Sequence, residues 1–430
     1  MFKVPFLVLL ILSTIRPLAA DPGPQVLDLN AVLEAVRAHD PVLASARSQA
    51  RMARASALAA HAWDPPQLGL GILGLEPAAA DLPPLQQRQW TLTQSLPFPG
   101  RTWARGRAAG LQAEAQEDGA DAVALRELAA AQEAYYSLAG ATFMLQSLDT
   151  VSKVTHEMAL LSGRRAGFGQ LDRMGQFMDA MLAMEDSGVD GMRPLSEQQS
   201  RESEAALRRL MGADPLQPLP PVRVDVEAIL GEKAPALAEA LRAAEARSPE
   251  LRAARANLEA ARAARFLALS GWLPDVTAQG TLTEDADGRR QEGAMLALSL
   301  PWLWFWKQAG EAGAAKSGEE QAAQDLESQA LALRERVVDA VGELQSAGEA
   351  LRTAWTRTYP QAAKGFELAR SGFRTTALGS SEILMAVQDY RSTGQAVADL
   401  IAQWGKAKAG LDMLIAAPLG AEADPAGGKS

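Results

Sequence analysis

Four methionines, Met174, Met178, Met181 and Met184, recur at helical spacing and come nearest in this chain to a soft-metal ligand set. A thioether ladder on one helix face suits Cu(I). The simpler reading of such a stripe is pliable packing in a helix seam. The three histidines, His39, His61 and His156, are solitary, so zinc-type spacing is missing. Cysteine is absent. That excludes disulfides, thiolate metal sites, a cysteine nucleophile and a lipid-modified N-terminal cysteine. The glycine-flanked segment Gly100, Arg101, Thr102, Trp103, Ala104, Arg105, Gly106 lacks the lysine and hydroxyl ending of a phosphate loop. It reads instead as a turn from strand into helix, and its counterpart Gly310 suggests a packing role. Acids are plentiful, but no cleft-forming pair stands out for acid–base work. The sequence therefore points to no enzyme, no catalytic residue, no cofactor and no bound metal.

The elements that carry these residues come in two rounds. Leu33, Pro41, Leu43 and Ala46 are matched by Leu241, Pro249, Leu251 and Ala254, at an offset of 249 − 41 = 208. Pro66 matches Pro274 at the same offset, and Ser95, Leu96 and Pro97 match Ser299, Leu300 and Pro301 at 204. A period of about 200 residues is too long for a solenoid repeat, so a duplicated half-fold is expected. Each half reads as helix, strand, turn, strand, very long helix, sharp turn, helix. The first has a helix over 29–62, strands near 67–75 and 88–97, and a proline-free helix over 102–161. The second has a helix over 237–269, strands near 275–283 and 293–301, and a proline-free helix over 307–359. Helices this long must pack laterally along their length. The expected organisation is a signal peptide (1–20), a first repeat (21–211), a proline-rich linker (212–236), a second repeat (237–417) and a disordered tail (418–430).

The chain's first twenty residues carry Lys3, an apolar run over 6–12, and a small-residue ending at Ala19 and Ala20, as an export signal does. An N-terminal anchor is the alternative, but the apolar run is short of the ~20 residues a spanning helix needs. Without that segment the charge is 40 − 52 = −12, which argues against nucleic acid as a partner. No later apolar stretch reaches bilayer length, so any membrane crossing must use strands. The strands alternate: Val276, Ala278, Gly280 and Leu282 against Thr277, Gln279, Thr281 and Thr283. Four strands cannot close a spanning barrel, whereas three copies give twelve. Trp302, Trp304 and Trp306 follow the last strand, and Phe98 sits similarly in the first half, as interface aromatics do. A small soluble sheet packed on helices remains the alternative.

Signal peptide, paired helix–hairpin–helix halves and the segment Ser95, Leu96, Pro97, Phe98, Pro99, Gly100, Arg101 together resemble the TolC-type outer membrane factors, over residues 27–417. The Leu-Pro-Phe-Pro-Gly form at 96–100 is similar to the branch working in cobalt–zinc–cadmium or copper–silver efflux. The resemblance implies a mainly α fold with a small β part. It implies a homotrimer with a 12-stranded β-barrel in the outer membrane of a Gram-negative bacterium, continued by a coiled-coil α-barrel through the periplasm. Its implied partners are outer membrane lipid, a periplasmic adaptor and an inner-membrane RND-type pump. The implied role is an export duct for heavy-metal cations, with drug efflux or type I secretion as the alternative within the family. A periplasmic coiled-coil adaptor or scaffold is the alternative from another class.

The family pattern also implies periplasmic tips that meet the adaptor and narrow the tunnel. Phe373, Glu382, Ile383 and Leu384 fit it, while Thr376 stands where glycine is usual. The first half places Gly169 against Gly379 and Asp172 against Glu382, with Gly167 beside the usual glycine position. Asp172 and Glu382 are expected to form acidic rings, latched by neighbours such as Arg164, Arg165, Arg173 or Arg374. The plainer role for such acids is favourable placement at a helix N-terminus.

Overall fold

The protein is described by a computed structural model covering residues 27–73, 87–98, 100–167, 173–214, 216–217, 219–222, 225–285, 287–375 and 380–416. Residues 1–26, 74–86 and 417–430, on which the expected signal peptide and disordered tail fall, lie outside the described residues. The first helical stretch is two helices, α1 (Leu29–His39) and α2 (Pro41–Ala60), where one helix over 29–62 was expected. Proline explains the break. Pro41 has no N–H to give the preceding turn, so it starts a new helix, capped by Asp40 accepting from the Val42 amide at 2.7 Å. The second half repeats the correction: α6 (Leu237–Arg247) and α7 (Pro249–Ser270) meet at Ser248, whose Oγ caps the Leu251 amide. A short α5 (Val226–Gly231) precedes them.

Strands β1 (Gln67–Leu73), β2 (Gln87–Leu96), β3 (Val276–Glu284) and β4 (Arg290–Leu298) pair antiparallel in chain order. The last ends before Ser299 because Pro301 opens a 3-10 turn to Trp304. After each strand pair comes a long helix: α3 (Arg101–Gly167) and α8 (Phe305–Thr353). At 1.5 Å per residue α3 reaches about 100 Å. The second helical path does not stop at 359 as expected. It passes through a π turn, Ala354–Thr358, into α9 (Tyr359–Arg374). The wider turn lets the Tyr359 amide bond the Ala354 carbonyl just before Pro360, which has no amide hydrogen to donate. Helices α4 (Arg173–Leu210) and α10 (Ser380–Leu414) return towards the sheet end.

Helix α3 is the central pillar, packed against α2, α4, α7 and α10. The core divides along the helices. One cluster joins α1, α3, α8 and the C-terminal part of α10 around Val36, Leu138, Val337 and Ile401. The other joins the outer parts of α3, α9 and α10 around Met158, Phe366, Phe373 and Val387. The order of helix pair, strand pair, long helix and return helix at 29–210 recurs at 237–414.

Candidate functional site

Register places the sheet's residues in rows with two unlike faces. Leu68, Leu92, Gly280 and Ala294 form one row, Leu70, Trp90, Leu282 and Glu292 the next, and at the end away from the helices Ile72 lies in a row with Arg88, Glu284 and Arg290. Nearer the helices, Leu96, Val276 and Leu298 share that face. The opposite face carries Gln67, Thr93, Gln279 and Met295, then Gly69, Thr91, Thr281 and Gly293, then Gly71, Gln89, Thr283 and Gln291. The apolar face is bare: Leu68 is 71% exposed and Leu296 78%. In a soluble sheet packed on helices this face would be buried, as apolar surface generally is. Strands β2, β3 and β4 run 10, 9 and 9 residues, matching the 9–11 a spanning strand needs. No helix among the described residues is long and apolar enough to cross a membrane.

Aromatic side chains crowd the end of the sheet that joins the helices. Trp302, Trp304, Phe305 and Trp306 are all exposed, with Trp306 packed edge-on to both Trp304 and Phe305. Phe98 is half-buried there. Two more exposed tryptophans, Trp63 before β1 and Trp103 after β2, belong to the same end. Strand alternation does not single these out, because both lie outside the strands. Their signal is position: a tryptophan within a few residues of each junction. Large amphipathic rings with one wet and one apolar side suit a lipid–water boundary.

At this junction the strands are tied to the helices by Arg101 and Asp275. Their side chains form an ion pair, with the Arg101 side chain only 14% exposed. Arg101 Nη2 also donates to the Ser270 and Leu273 carbonyls, at 2.6 and 3.1 Å. Asp275 accepts from the Phe98 amide at 2.9 Å, and its own amide donates to Ser299 Oγ at 2.7 Å. The arginine of the 95–101 segment therefore stitches the first strand pair to the second. The turn into α3 is made at Gly100, whose φ of +96° suits glycine. Gly106 lies inside α3 against the His61 ring, and Gly310 faces open space. The packing role expected of both holds for Gly106 alone.

At the far end of the helices, Gly167 closes the described part of α3 and Arg173 opens α4. Gly169, Asp172, Thr376 and Gly379 lie outside the described residues. Glu382 stands exposed in the first turn of α10 and accepts from Ser381 Oγ at 2.7 Å. Phe373, Ile383 and Leu384 are buried around it. Arg374, an expected latch for the tip acids, instead meets Glu157 of α3, as does Arg370 at 3.3 Å. The Arg374 hydrogen bond, reinforced by Arg370, holds the Glu157 carboxyl below its usual range. Arg391 joins Glu185 at 2.9 Å, and Arg193 joins Asp149, so ion pairs cross α3–α9, α4–α10 and α3–α4. Of the methionine stripe, Met184 is 70% exposed and Met181 half-buried; the side chains of Met174 and Met178 lie outside those described.

Residues 240–417 match the family described as outer membrane efflux protein. Solved outer-membrane channels share the fold of nearly the whole chain. The open state of the MtrE outer membrane channel of Neisseria gonorrhoeae has a TM-score of 0.78 at 17% identity, over 90% of this chain and 88% of that one. The CmeC outer membrane channel of Campylobacter jejuni gives 0.77 at 14%, over 90% and 85%. CusC, whose structures concern folding and transmembrane channel formation, gives 0.75 at 16%, over 90% and 91%. No curated protein matches the chain. At these identities the likeness to the solved channels is one of fold. The resemblance read from the sequence is borne out by the family match together with that shared fold.

Proposed function

We propose that this chain, whose residues 240–417 match the outer membrane efflux protein family, is one protomer of an export duct in the outer membrane. The observation that carries the reading is the bare apolar face shared by all four strands, backed by a polar face. Three copies joined edge to edge supply twelve strands and close a barrel with its apolar side to lipid and its polar side to water. The helical body then extends into the periplasm as a wider tube. The two helix–hairpin–helix halves are a duplication that supplies alternate staves of its wall. The aromatics at the junction sit at the inner boundary of the lipid. Residues 1–20 direct export, and the 212–236 linker joins the repeats.

An inner-membrane RND-type pump supplies energy, and a periplasmic adaptor docks at the helix tips around Gly167, Gly169, Asp172, Arg173, Thr376, Gly379 and Glu382. Heavy-metal cations are the proposed cargo, on the strength of the segment at 96–100. Asp172 and Glu382 converge as acidic rings in the trimer and narrow the tunnel. Replacing both by alanine is expected to raise single-channel conductance in a planar bilayer; an unchanged conductance removes the gate. The duct itself is tested by membrane fractionation and native mass spectrometry. A detergent-extracted trimer in the outer membrane is expected, and recovery as a soluble periplasmic monomer would defeat the reading.

A further inference from the structure

The chain holds one complete seam between its two halves and the two uncovered sides of another. Near the sheet the helices follow the order α2, α3, α7, α8, each packed on the next. Arg54 of α2 meets Glu117 of α3, and Arg262 of α7 meets Glu319 of α8. These matching pairs put α7 at an offset of 262 − 54 = 208 from α2, and α8 at 319 − 117 = 202 from α3. The seam between the halves joins α3 to α7, where Arg252 bridges Asp118 and Asp121 at 2.7 and 3.0 Å. Small residues close it: Ala115 and Ala122 on α3 and Ala256 and Ala260 on α7 are all buried. The corresponding positions on the outer helices are bare. Ser317 and Gln324 on α8 are exposed, and so are Ser48 and Met52 on α2. Met52 is 66% exposed where its counterpart Ala260 is 4%.

We propose, resting on the export-duct reading, that α2 of one chain docks on α8 of a second copy and repeats there the α3–α7 seam. Charge supports this partner. Helix α2 carries Arg47, Arg51 and Arg54 and no acid. Among the described residues Arg47 and Arg51 have no ion-pair partner. Helix α8 carries five acids and two lysines over 305–330, with Glu320 and Glu327 exposed beside the bare stripe. Two α2 helices would bring only arginines together, so the copies join head to tail, as a closed ring requires. Strand β1 follows α2 and β4 precedes α8, so the same docking brings the two open edges of the sheet together. The inner seam also sets the register. Its helices are antiparallel, so a turn forward on α7 is a turn back on α3. Arg252 meets Asp118 and Asp121, which sets Ala256 one turn on beside Ala115. Carried over by the two offsets, Ser48 of one copy lies against Ser317 of the next.

The chain has no cysteine, so a pair placed across the contact reports on it directly. Full-length Ser48→Cys/Ser317→Cys, oxidised with copper phenanthroline in membranes, is expected to run as covalent dimers and trimers on a denaturing gel. Ser48→Cys/Gln324→Cys moves one partner by two turns, roughly 10 Å along α8, beyond the span of a disulfide. It is expected to give at least about tenfold less product. Neither single-cysteine variant should cross-link, because each helix meets only the other kind. Native mass spectrometry of the parent chain separates this contact from the duct itself. A trimeric parent whose Ser48→Cys/Ser317→Cys variant gives no cross-link overturns the contact and leaves the duct standing. So does cross-linking through Ser48→Cys alone, which would join two α2 helices, or equal yield from the two pairs. A monomeric parent removes both.

Discussion

Arg101 sits where two strand pairs meet the helices, and its guanidinium is committed to Asp275 and to the Ser270 and Leu273 carbonyls. Removing it leaves a partly buried carboxylate without its cation and two carbonyls without their donor. Hydrogen bonds involving a charged group contribute about 1.5–3 kcal/mol, so Arg101→Ala is expected to lower unfolding free energy by roughly 2–3 kcal/mol. Arg101→Lys should recover little, because one ammonium cannot reproduce the guanidinium fork. Arg54 provides the contrast: its side chain is 70% exposed opposite Glu117. Arg54→Ala should cost below about 1 kcal/mol. Urea unfolding in detergent measures all three, and an Arg101→Ala loss no larger than that of Arg54→Ala would sink the stitching role. The sequence marks the segment at 95–101 as distinctive but does not say what Arg101 holds. Its partner lies 174 residues away, beyond anything local periodicity can register. The same holds for Arg374, which the sequence offers to the tip acids and the fold gives to Glu157.

Elements are legible where their cause is local. Alternation in β3 and the missing prolines of α3 predict a strand and a helix close to those observed, because both signals act within a few residues. The errors fall where a local cause was present but outweighed by pattern. Leu33, Val36 and Leu43 keep a helical rhythm across Pro41, yet the missing amide starts a second helix there. The π turn before Pro360 is the reverse case: the helical path survives a proline by widening one turn. Close approaches between helices are invisible in either pattern. At Gly140 a methyl would lie 2.6 Å from the Ala398 carbonyl oxygen, backbone that cannot swing aside, whereas nothing lies within 4 Å of a Cβ at Gly310. Gly140→Ala is therefore expected to push α3 from α10 and destabilise by about 1–3 kcal/mol. Gly310→Ala, inside α8, should stabilise by roughly 0.5–1 kcal/mol, since alanine loses less backbone entropy in a helix. Unfolding of the two variants side by side decides it; equal effects would mean that the close approach imposes no constraint.

For the whole molecule, the sheet poses a problem that one chain does not solve. Strands β1 and β4 are its outer members, so each presents a row of backbone N–H and C=O groups outward. In lipid each unpaired group costs several kcal/mol, which favours closure with further copies over an open sheet. The two faces then meet different solvents, and adjacent residues on one strand should respond in opposite ways to charge. Leu92 lies mid-strand on the apolar face, in the row with Leu68 and Gly280, and is 54% exposed. Thr91 lies on the other face beside Gly69 and Thr281. On a soluble sheet, arginine at an exposed position such as Leu92 would be tolerated and would improve solubility. In a bilayer, Leu92→Arg near mid-depth is expected to cost about 2–4 kcal/mol per protomer. Three protomers carry that penalty together, so the trimer should be lost from the outer membrane. Thr91→Arg points into water and has the space beside Gly69, so assembly should survive and only conductance change. The measurement is the yield of trimer in outer membrane fractions for both variants. Normal assembly of Leu92→Arg would mean that the apolar face does not meet lipid, and the duct would have to be abandoned with it.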